Sequence, residues 1–342
     1  MDGLELPIPV AGLVTAPGMP GEAPVAMPVQ RLHAFAPEHR RPFFAAASRS
    51  RRWPRVVVFG GALALSAIGI VGMAKTLSAG TDTPLTLLVL FLFSLNFAWI
   101  AFTFVVALAG TIVVLRRRRR PAAELPLAGR TAVLMPVHNE QPERIFAAIE
   151  AMAQGIVRRG AGRAFDWFVL SDTTDAVTAL AEAAAFLDLR RRLAPDTHAY
   201  YRRRRRNRRR KAGNIADFCR RWGGAYEYLL VLDADSLMEP DAILELARRM
   251  EADPDAGIIQ TVPSLINGRT TLARIQQFAN RVYGPVLAAG LAWWCQSEGN
   301  YWGHNAIIRR RAFTEAAGLP VLSGPPPFGG HVLSHDFVEA AL

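Results

Sequence analysis

An α/β domain preceded by two membrane-crossing helices is the fold class the sequence predicts, on three observations. Val56–Ala74 and Leu85–Leu115 each run without a charged residue. From about Thr131 the pattern changes to short apolar runs alternating with helical stretches. Of the 342 residues, 51% are hydrophobic, too many for a disordered chain, and 20% are charged, too many for one lying wholly in lipid. Lys and Arg outnumber Asp and Glu by 40 to 29, a net charge of +11. The two cysteines, Cys219 and Cys295, cannot make a disulfide scaffold and read as small buried residues.

Each uncharged run reaches the roughly 20 apolar residues that a bilayer span requires, and the expected helices cover about 56–76 and 85–115. Arg49, Arg51, Arg52 and Arg55 precede the first, and Arg116–Arg120 follow the second. The link between them, Lys75–Pro84, carries one Lys and one Asp. Positive-inside bias therefore predicts a multi-pass protein whose N-terminus and α/β domain both face the cytoplasm. The first helix starts too far into the chain for a cleavable signal peptide. Residues 1–48, rich in Pro, Gly, Ala and Val, read as a mobile tail with a short interfacial stretch near Leu32–Phe44. Residues 49–120 form the membrane unit and 121–342 the α/β domain.

Within that domain the expected strands are Thr131–Met135, Phe165–Leu170, Ala199–Tyr201, Tyr228–Leu232 and Gly257–Thr261. Helices are expected at Glu143–Val157, Val177–Leu193, Asn214–Trp222 and Asp241–Glu251, the last started by Pro240. Such alternation predicts a parallel sheet with helices on both faces, whose ligands bind beyond the carboxyl ends of the strands.

Acids stand at those ends. Asp172 follows the second strand, and Asp233 and Asp235 follow Tyr228–Leu232. Two carboxylates spaced Asp-x-Asp on a strand edge suit a hard divalent cation that also meets phosphate oxygens. Taken alone, such a pair is also a common turn and helix-cap device. Between the acids lie Arg202–Arg206, Arg208–Arg210 and Lys211, then Ala212-Gly213-Asn214 ahead of a helix. A cation, a small-residue turn and a helix N-terminus make a diphosphate cradle, with Lys211 the expected phosphate contact. Arg202–Arg206 read as a solvated face or a patch for anionic lipid.

Several motifs occur in order: Met135-Pro136-Val137-His138-Asn139-Glu140, Leu170-Ser171-Asp172, Arg210-Lys211-Ala212-Gly213-Asn214, Leu232-Asp233-Ala234-Asp235, Gly303-His304-Asn305-Ala306 and Ser334-His335-Asp336. In these the chain resembles family 2 glycosyltransferases. Tyr283-Gly284-Pro285, Tyr301-Trp302-Gly303-His304 and Ser334-His335-Asp336-Phe337-Val338-Glu339-Ala340 narrow the resemblance to the membrane branch that builds osmoregulated periplasmic glucans. The resemblance covers roughly Arg116 to Leu342.

It implies a GT-A fold (a Rossmann-like mixed sheet), UDP-glucose as donor and inverting transfer to a growing β-glucan acceptor. It further implies a bacterial inner-membrane location, the lipid bilayer and other periplasmic-glucan biosynthesis proteins as partners, and no nucleic acid. By matching positions, Glu140 and Asp172 hold the uridine end, and Asp233 and Lys211 the diphosphate. Asp233 and Asp235 hold Mg²⁺ or Mn²⁺, and Asp336 is the general base. Trp302, Gly303 and His304 become candidates for the acceptor site, while Trp293 and Trp294 read as structural. His335 reads as a surface histidine that could instead orient Asp336.

The family's usual Thr-Glu-Asp is Ser-His-Asp here. Its Arg-Arg-Trp-type motif and further membrane helices are expected beyond Leu342, so the sequence reads as an N-terminal portion of the enzyme. Two enzyme and non-enzyme alternatives stay open: a processive transferase of the cellulose or chitin synthase kind, and a non-catalytic sugar-nucleotide-binding membrane protein. A nucleic-acid binder would use the arginines but leaves the strand-end acids without a task.

Overall fold

The computed structural model describes residues 19–30, 51–78, 83–116, 126–325, 329–332 and 334–341. Arg49, the stretch Leu32–Phe44 and the basic run Arg117–Arg120 lie outside the described residues. The chain divides into two compact units, one of residues 40–121 and 262–299 and the other of residues 1–39, 122–261 and 300–342.

The first unit is helical. Helix α1 (Trp53–Leu77) opens on Pro54, placed in the first turn where a missing N–H costs nothing. Helix α2 spans Pro84–Arg116. Both are long and apolar enough to cross a membrane, and both carry large apolar side chains outward, among them Leu63, Ile68, Phe91, Leu95 and Trp99. A helix that is apolar all round is one built for an apolar surround. Their partner is a third helix, α7 (Thr271–Cys295), capped by the Thr270 hydroxyl, which accepts from the Ala273 N–H at 3.2 Å.

Sequence reasoning placed no helix there and assigned the segment to the α/β domain. Residues 262–299 instead cluster with α1 and α2. Glycine makes the contact possible: a Cβ on Gly110 would lie 1.9 Å from the Val286 carbonyl oxygen, and one on Gly290 2.2 Å from that of Val106. Such close backbone approach is how membrane helices associate without a hydrophobic driving force. Trp293 meets Trp53 edge-on at 5.0 Å and Trp294 meets Phe59 at 5.3 Å, which accords with their structural reading.

The second unit is built on a six-stranded sheet. Strand β1 (Thr131–Val137) leads to α3 (Pro142–Arg158), and β2 (Phe165–Ser171) to α4 (Ala176–Arg192). Next come β3 (His198–Arg203), α5 (Arg210–Trp222), β4 (Tyr228–Val231), α6 (Pro240–Ala252) and β5 (Ile258–Gln260). After the first unit's α7, the chain returns as β6 (Ala306–Arg309) and α8 (Arg310–Ala316), a small β7 (Val321–Leu322) and β8 (Gly330–His331) pair, and α9 (His335–Ala341).

The strand order is β3-β2-β1-β4-β6-β5. The first four strands are parallel, whereas β6 runs antiparallel to both β4 and β5. The sheet is therefore mixed, not the all-parallel one that alternation alone predicts. Alternating strand residues feed two cores. Val133, Met135, Trp167, Val169 and Leu230 face α3, α4 and α6, while Leu134, Phe168, Leu229 and Val231 face α5 and α8. Burial on both faces is why these strands read as continuous apolar runs.

The described part of the N-terminal segment departs from the expected mobile tail. Residues 19–30 run extended along the second core: Ala23 donates to the Arg221 carbonyl, the Trp222 indole donates to Pro20, Gln30 donates to Gly318, and Met27 is buried. Backbone hydrogen bonds hold it, so no side-chain periodicity announced it.

Candidate functional site

Parallel strands put successive loops at one edge of the sheet, and here the loops after β1, β2 and β4 line a single cleft of about 1110 Å³. Glu140, Asp172, Lys211, Asp233 and Asp235 all line it, with Arg144 and Arg210.

Two loops are stitched together to hold the first two acids. Asn139 sits in the left-handed region (φ 60°), and its side-chain oxygen accepts from the Thr174 and Asp175 N–H groups at 3.0 and 3.1 Å. The Glu140 carboxylate accepts from the His138 N–H. Asp172, 5% exposed, is gripped by two of the Arg204 nitrogens, Nε and Nη2, each at 2.7 Å. Arg204 is thus no solvated charge, and neither is Arg202, which pairs with Asp217 and packs over the Trp222 ring at 5.4 Å. The expectation for these two arginines is corrected: the carboxylates at Asp172 and Asp217 draw them inward.

Sequence reasoning missed Glu182, hidden in an Ala-rich helix. Its carboxylate is fully buried and accepts the hydroxyls of Ser171 (2.7 Å), Thr173 and Tyr201 (2.8 Å). Burial and that carboxylate push the Tyr201 phenol up from its ordinary value. Three hydroxyls around one carboxylate fix the residues on either side of Asp172.

Helix α5 begins at Arg210, so Lys211-Ala212-Gly213 form its first turn and not a turn ahead of it. Gly213 is required there, because a Cβ would meet the Arg208 carbonyl oxygen at 2.1 Å. From this turn the Lys211 ammonium donates to Asp233 Oδ1 and, at 2.6 Å, to the Gly303 carbonyl. The Asp233 turn is closed by Ser236, whose hydroxyl accepts from the Asp233 N–H at 3.1 Å. His304 Nε2 lies 3.9 Å from Asp233 Oδ2. Asp235 is exposed, and its carboxylate engages none of the described residues. An uncommitted carboxylate two residues from a half-committed one is an oxygen donor set that fits a hard divalent cation.

Asp336 and Trp302 are not among the residues lining the cleft. Asp336 opens α9 against Gly303: a Cβ built on Gly303 would stand 2.5 Å from Asp336 Oδ2. One peptide unit therefore separates the Lys211–Asp233 pair from the Asp336 carboxylate. Trp302 is 40% exposed, its N–H donating to the Gln260 side chain at 3.1 Å. His335 corrects its expected surface placement: its side chain is 13% exposed and Nδ1 lies 3.0 Å from Asp336 Oδ1.

The model of the glycosyl transferase family 2 matches residues 132–316. The chain is 57% identical over 333 residues to "Glucans biosynthesis glucosyltransferase H" of Shewanella sp. (strain W3-18-1) and 55% identical over 331 residues to the protein so named in Vibrio cholerae serotype O1 (strain ATCC 39541). Each alignment takes in 96% of this chain and 46% of the relative. The chain thus spans about half the length of the curated relatives it matches. Two solved structures are similar in part. One is a mannosyltransferase from Pyrobaculum calidifontis in complex with GDP-Man and Mn²⁺ (TM-score 0.41, 19% identity, 63% of this chain and 55% of that one). The other is mannosyl-3-phosphoglycerate synthase from Rubrobacter xylanophilus (TM-score 0.33, 12% identity, 60% and 64%).

Proposed function

The chain belongs to glycosyl transferase family 2, and from that premise we propose that it carries the donor-binding and catalytic residues of an inverting membrane glucosyltransferase. In this reading it moves glucose from UDP-glucose to a growing β-glucan in periplasmic glucan synthesis, with α1 and α2 crossing the bacterial inner membrane and the α/β unit in the cytoplasm. One observation carries the reading: acids and a lysine from separate strand ends meet in one cleft, with Asp336 a peptide unit away.

The roles proposed for each residue are those the family resemblance implies, and the shared cleft supports them. Glu140 and Asp172, on the stitched loops, receive the uridine end. Lys211 and Asp233 face the diphosphate, and Asp233 with Asp235 hold Mg²⁺ or Mn²⁺. A bound divalent cation supplies Lewis-acid stabilisation of the negative charge that grows on the leaving diphosphate. Lys211 meets the same charge from the protein's side, already held in place by Asp233 and the Gly303 carbonyl. Asp336 lies across Gly303 from that lysine, where it takes the proton of the acceptor hydroxyl as the hydroxyl attacks opposite the leaving group. Trp302, Gly303 and His304 border that acceptor side, the exposed indole offering an apolar face to a pyranose ring.

Titration calorimetry tests the donor side. UDP-glucose should bind more tightly than UDP-galactose, and only with Mg²⁺ or Mn²⁺ present. Asp235→Asn should remove the metal dependence together with most of the affinity. Binding that ignores the metal, or that survives Asp235→Asn unchanged, refutes the assignment. Metal-dependent binding without any glucose release from the intact enzyme would instead mark a sugar-nucleotide sensor.

A further inference from the structure

We propose that Glu339 is a positioning residue for Asp336, acting through His335, whose Nδ1 lies at ion-pair distance from both carboxylates. The inference rests on the reading of Asp336 as the acceptor-side base and adds to it a second carboxylate and a charge state.

His335 Nδ1 lies 3.0 Å from Asp336 Oδ1 and 3.3 Å from Glu339 Oε1. The i,i+4 spacing places His335 and Glu339 on one face of α9. An unprotonated Nδ1 would direct its lone pair at two carboxylate oxygens, so this nitrogen carries a proton. The Glu339 side chain is 6% exposed, and among the described residues His335 is its one ion-pair partner. A carboxylate so enclosed is costly unless a cation accompanies it. The imidazolium is that cation.

The other charged or titratable groups facing the cluster are Lys211 and Cys219 on α5, Asp233 after β4, and Tyr301 and His304 ahead of β6. Burial would lower the His335 pKa, but Asp336 and Glu339 outweigh it and carry it up to about 9. Burial likewise works to raise Asp336, yet His335, then Lys211 and His304, hold it below the usual carboxylate range. Glu339 is pushed up by burial, with His335 opposing.

Asp336 Oδ1 lies at ion-pair distance from His335, and Oδ2 comes nearest to the Gly303 side, 2.5 Å from a Cβ built there against 2.8 Å for Oδ1. A base that must receive a proton in one direction gains from having its other oxygen fixed. Loss of the imidazolium's charge, with the Nδ1 proton retained, would weaken the ion pair that holds Asp336.

The experiment is the pH dependence of glucosyl transfer by the intact enzyme in lipid nanodiscs, between about pH 6 and 10, with donor affinity measured alongside. The wild type should lose activity on an alkaline limb near pH 9, as His335 gives up its proton. Glu339→Gln keeps the shape but removes the charge. It should move that limb down by about one unit or more and leave UDP-glucose affinity unchanged. His335→Gln should abolish the limb altogether, and serves if Glu339→Gln fails to fold. A merely structural Glu339 would lower the amplitude without moving the limb, and that result overturns the proposal. So does a limb near pH 9 that survives His335→Gln. Asp336→Asn separates the two readings: if it keeps transfer activity, the base assignment itself fails, whereas an inactive Asp336→Asn beside an unmoved Glu339→Gln limb sinks the bridge alone.

Discussion

Replacing Gly303 by alanine tests the junction between the two halves of the site. Gly303 has φ +86°, a conformation that a residue with a Cβ adopts at a cost of roughly 1–2 kcal/mol. The new methyl would stand 2.5 Å from Oδ2, 2.7 Å from Cγ and 2.8 Å from Oδ1 of Asp336. Carbon and oxygen in ordinary contact keep about 3.3 Å apart, so the carboxylate must retreat by about 0.8 Å. Misplacing a reacting group by about 1 Å lowers the rate on the order of 100-fold. The expected outcome for Gly303→Ala is therefore a transfer kcat reduced about 100-fold with the UDP-glucose dissociation constant within about threefold of wild type. Gly160→Ala supplies the control, because Gly160 has φ +73° with nothing within 4 Å of its built Cβ. It bears the same backbone strain without a clash and should lower stability while sparing kcat. Steady-state kinetics with donor and acceptor varied separately, beside calorimetry for the donor, make the measurement. Wild-type kcat in Gly303→Ala, or equal losses in donor binding and rate, would refute the placement of Asp336 on the acceptor side.

Two further outcomes follow from packing. Glu182→Leu strands the hydroxyls of Ser171, Thr173 and Tyr201. At about 1 kcal/mol or more for each, it should cost about 3 kcal/mol, read as a lowered midpoint of thermal unfolding, and should weaken UDP-glucose binding through Asp172. A variant as stable as the wild type would show that the three hydroxyls find other partners. Gly110→Ala forces a methyl to 1.9 Å from the Val286 carbonyl oxygen, whereas Gly72 has open space around its built Cβ. The first should lower the unfolding temperature in detergent by several degrees, and Gly72→Ala should leave it level or raise it slightly; equal behaviour of the two would deny the α2–α7 contact.

The central strands were legible because burial on both faces turns them into unbroken apolar runs, and their ends could then be read for acids. Thr131–Val137, Phe165–Ser171 and Tyr228–Val231 all fall within two residues of expectation at each end. Helix α7 was not legible. Pro285 interrupts it and polar residues such as Arg274, Gln277 and Arg281 interleave its apolar ones, so neither a spanning run nor a clean amphipathic period stands out. Residues 19–30 hid for another reason: an extended segment held by backbone hydrogen bonds has no side-chain signature. His335 could have been found. Its spacing to Glu339 puts imidazole and carboxylate on one helical face, a signal that adjacency to Asp336 obscured. Arg202 and Arg204 show the limit of reading charge by composition, since a run of like charges says nothing about which members meet a buried acid.

The acids of the cleft differ in how far their charge is already answered, and on the proposed reading this bears on how a diphosphate would enter. Arg204 neutralises Asp172 with two nitrogens, Lys211 takes one oxygen of Asp233, and the His138 N–H meets Glu140. Asp235 has no such partner among the described residues. A diphosphate approaching the loop after β4 brings negative charge toward an uncompensated carboxylate, and two unit charges about 4 Å apart repel by about 1 kcal/mol in water and several times that in a partly desolvated cleft. Lys211 cannot screen both groups, being already divided between Asp233 and Gly303. On the proposed reading, Asp235 with Asp233 would hold a divalent cation, whose positive charge would offset this repulsion. Thermodynamic linkage then requires reciprocity: whatever factor the cation adds to nucleotide affinity, the nucleotide adds to cation affinity. On that reading, Asp235, without a partner among the described residues, would set a double condition, weak binding of either ligand alone and tight binding of both together.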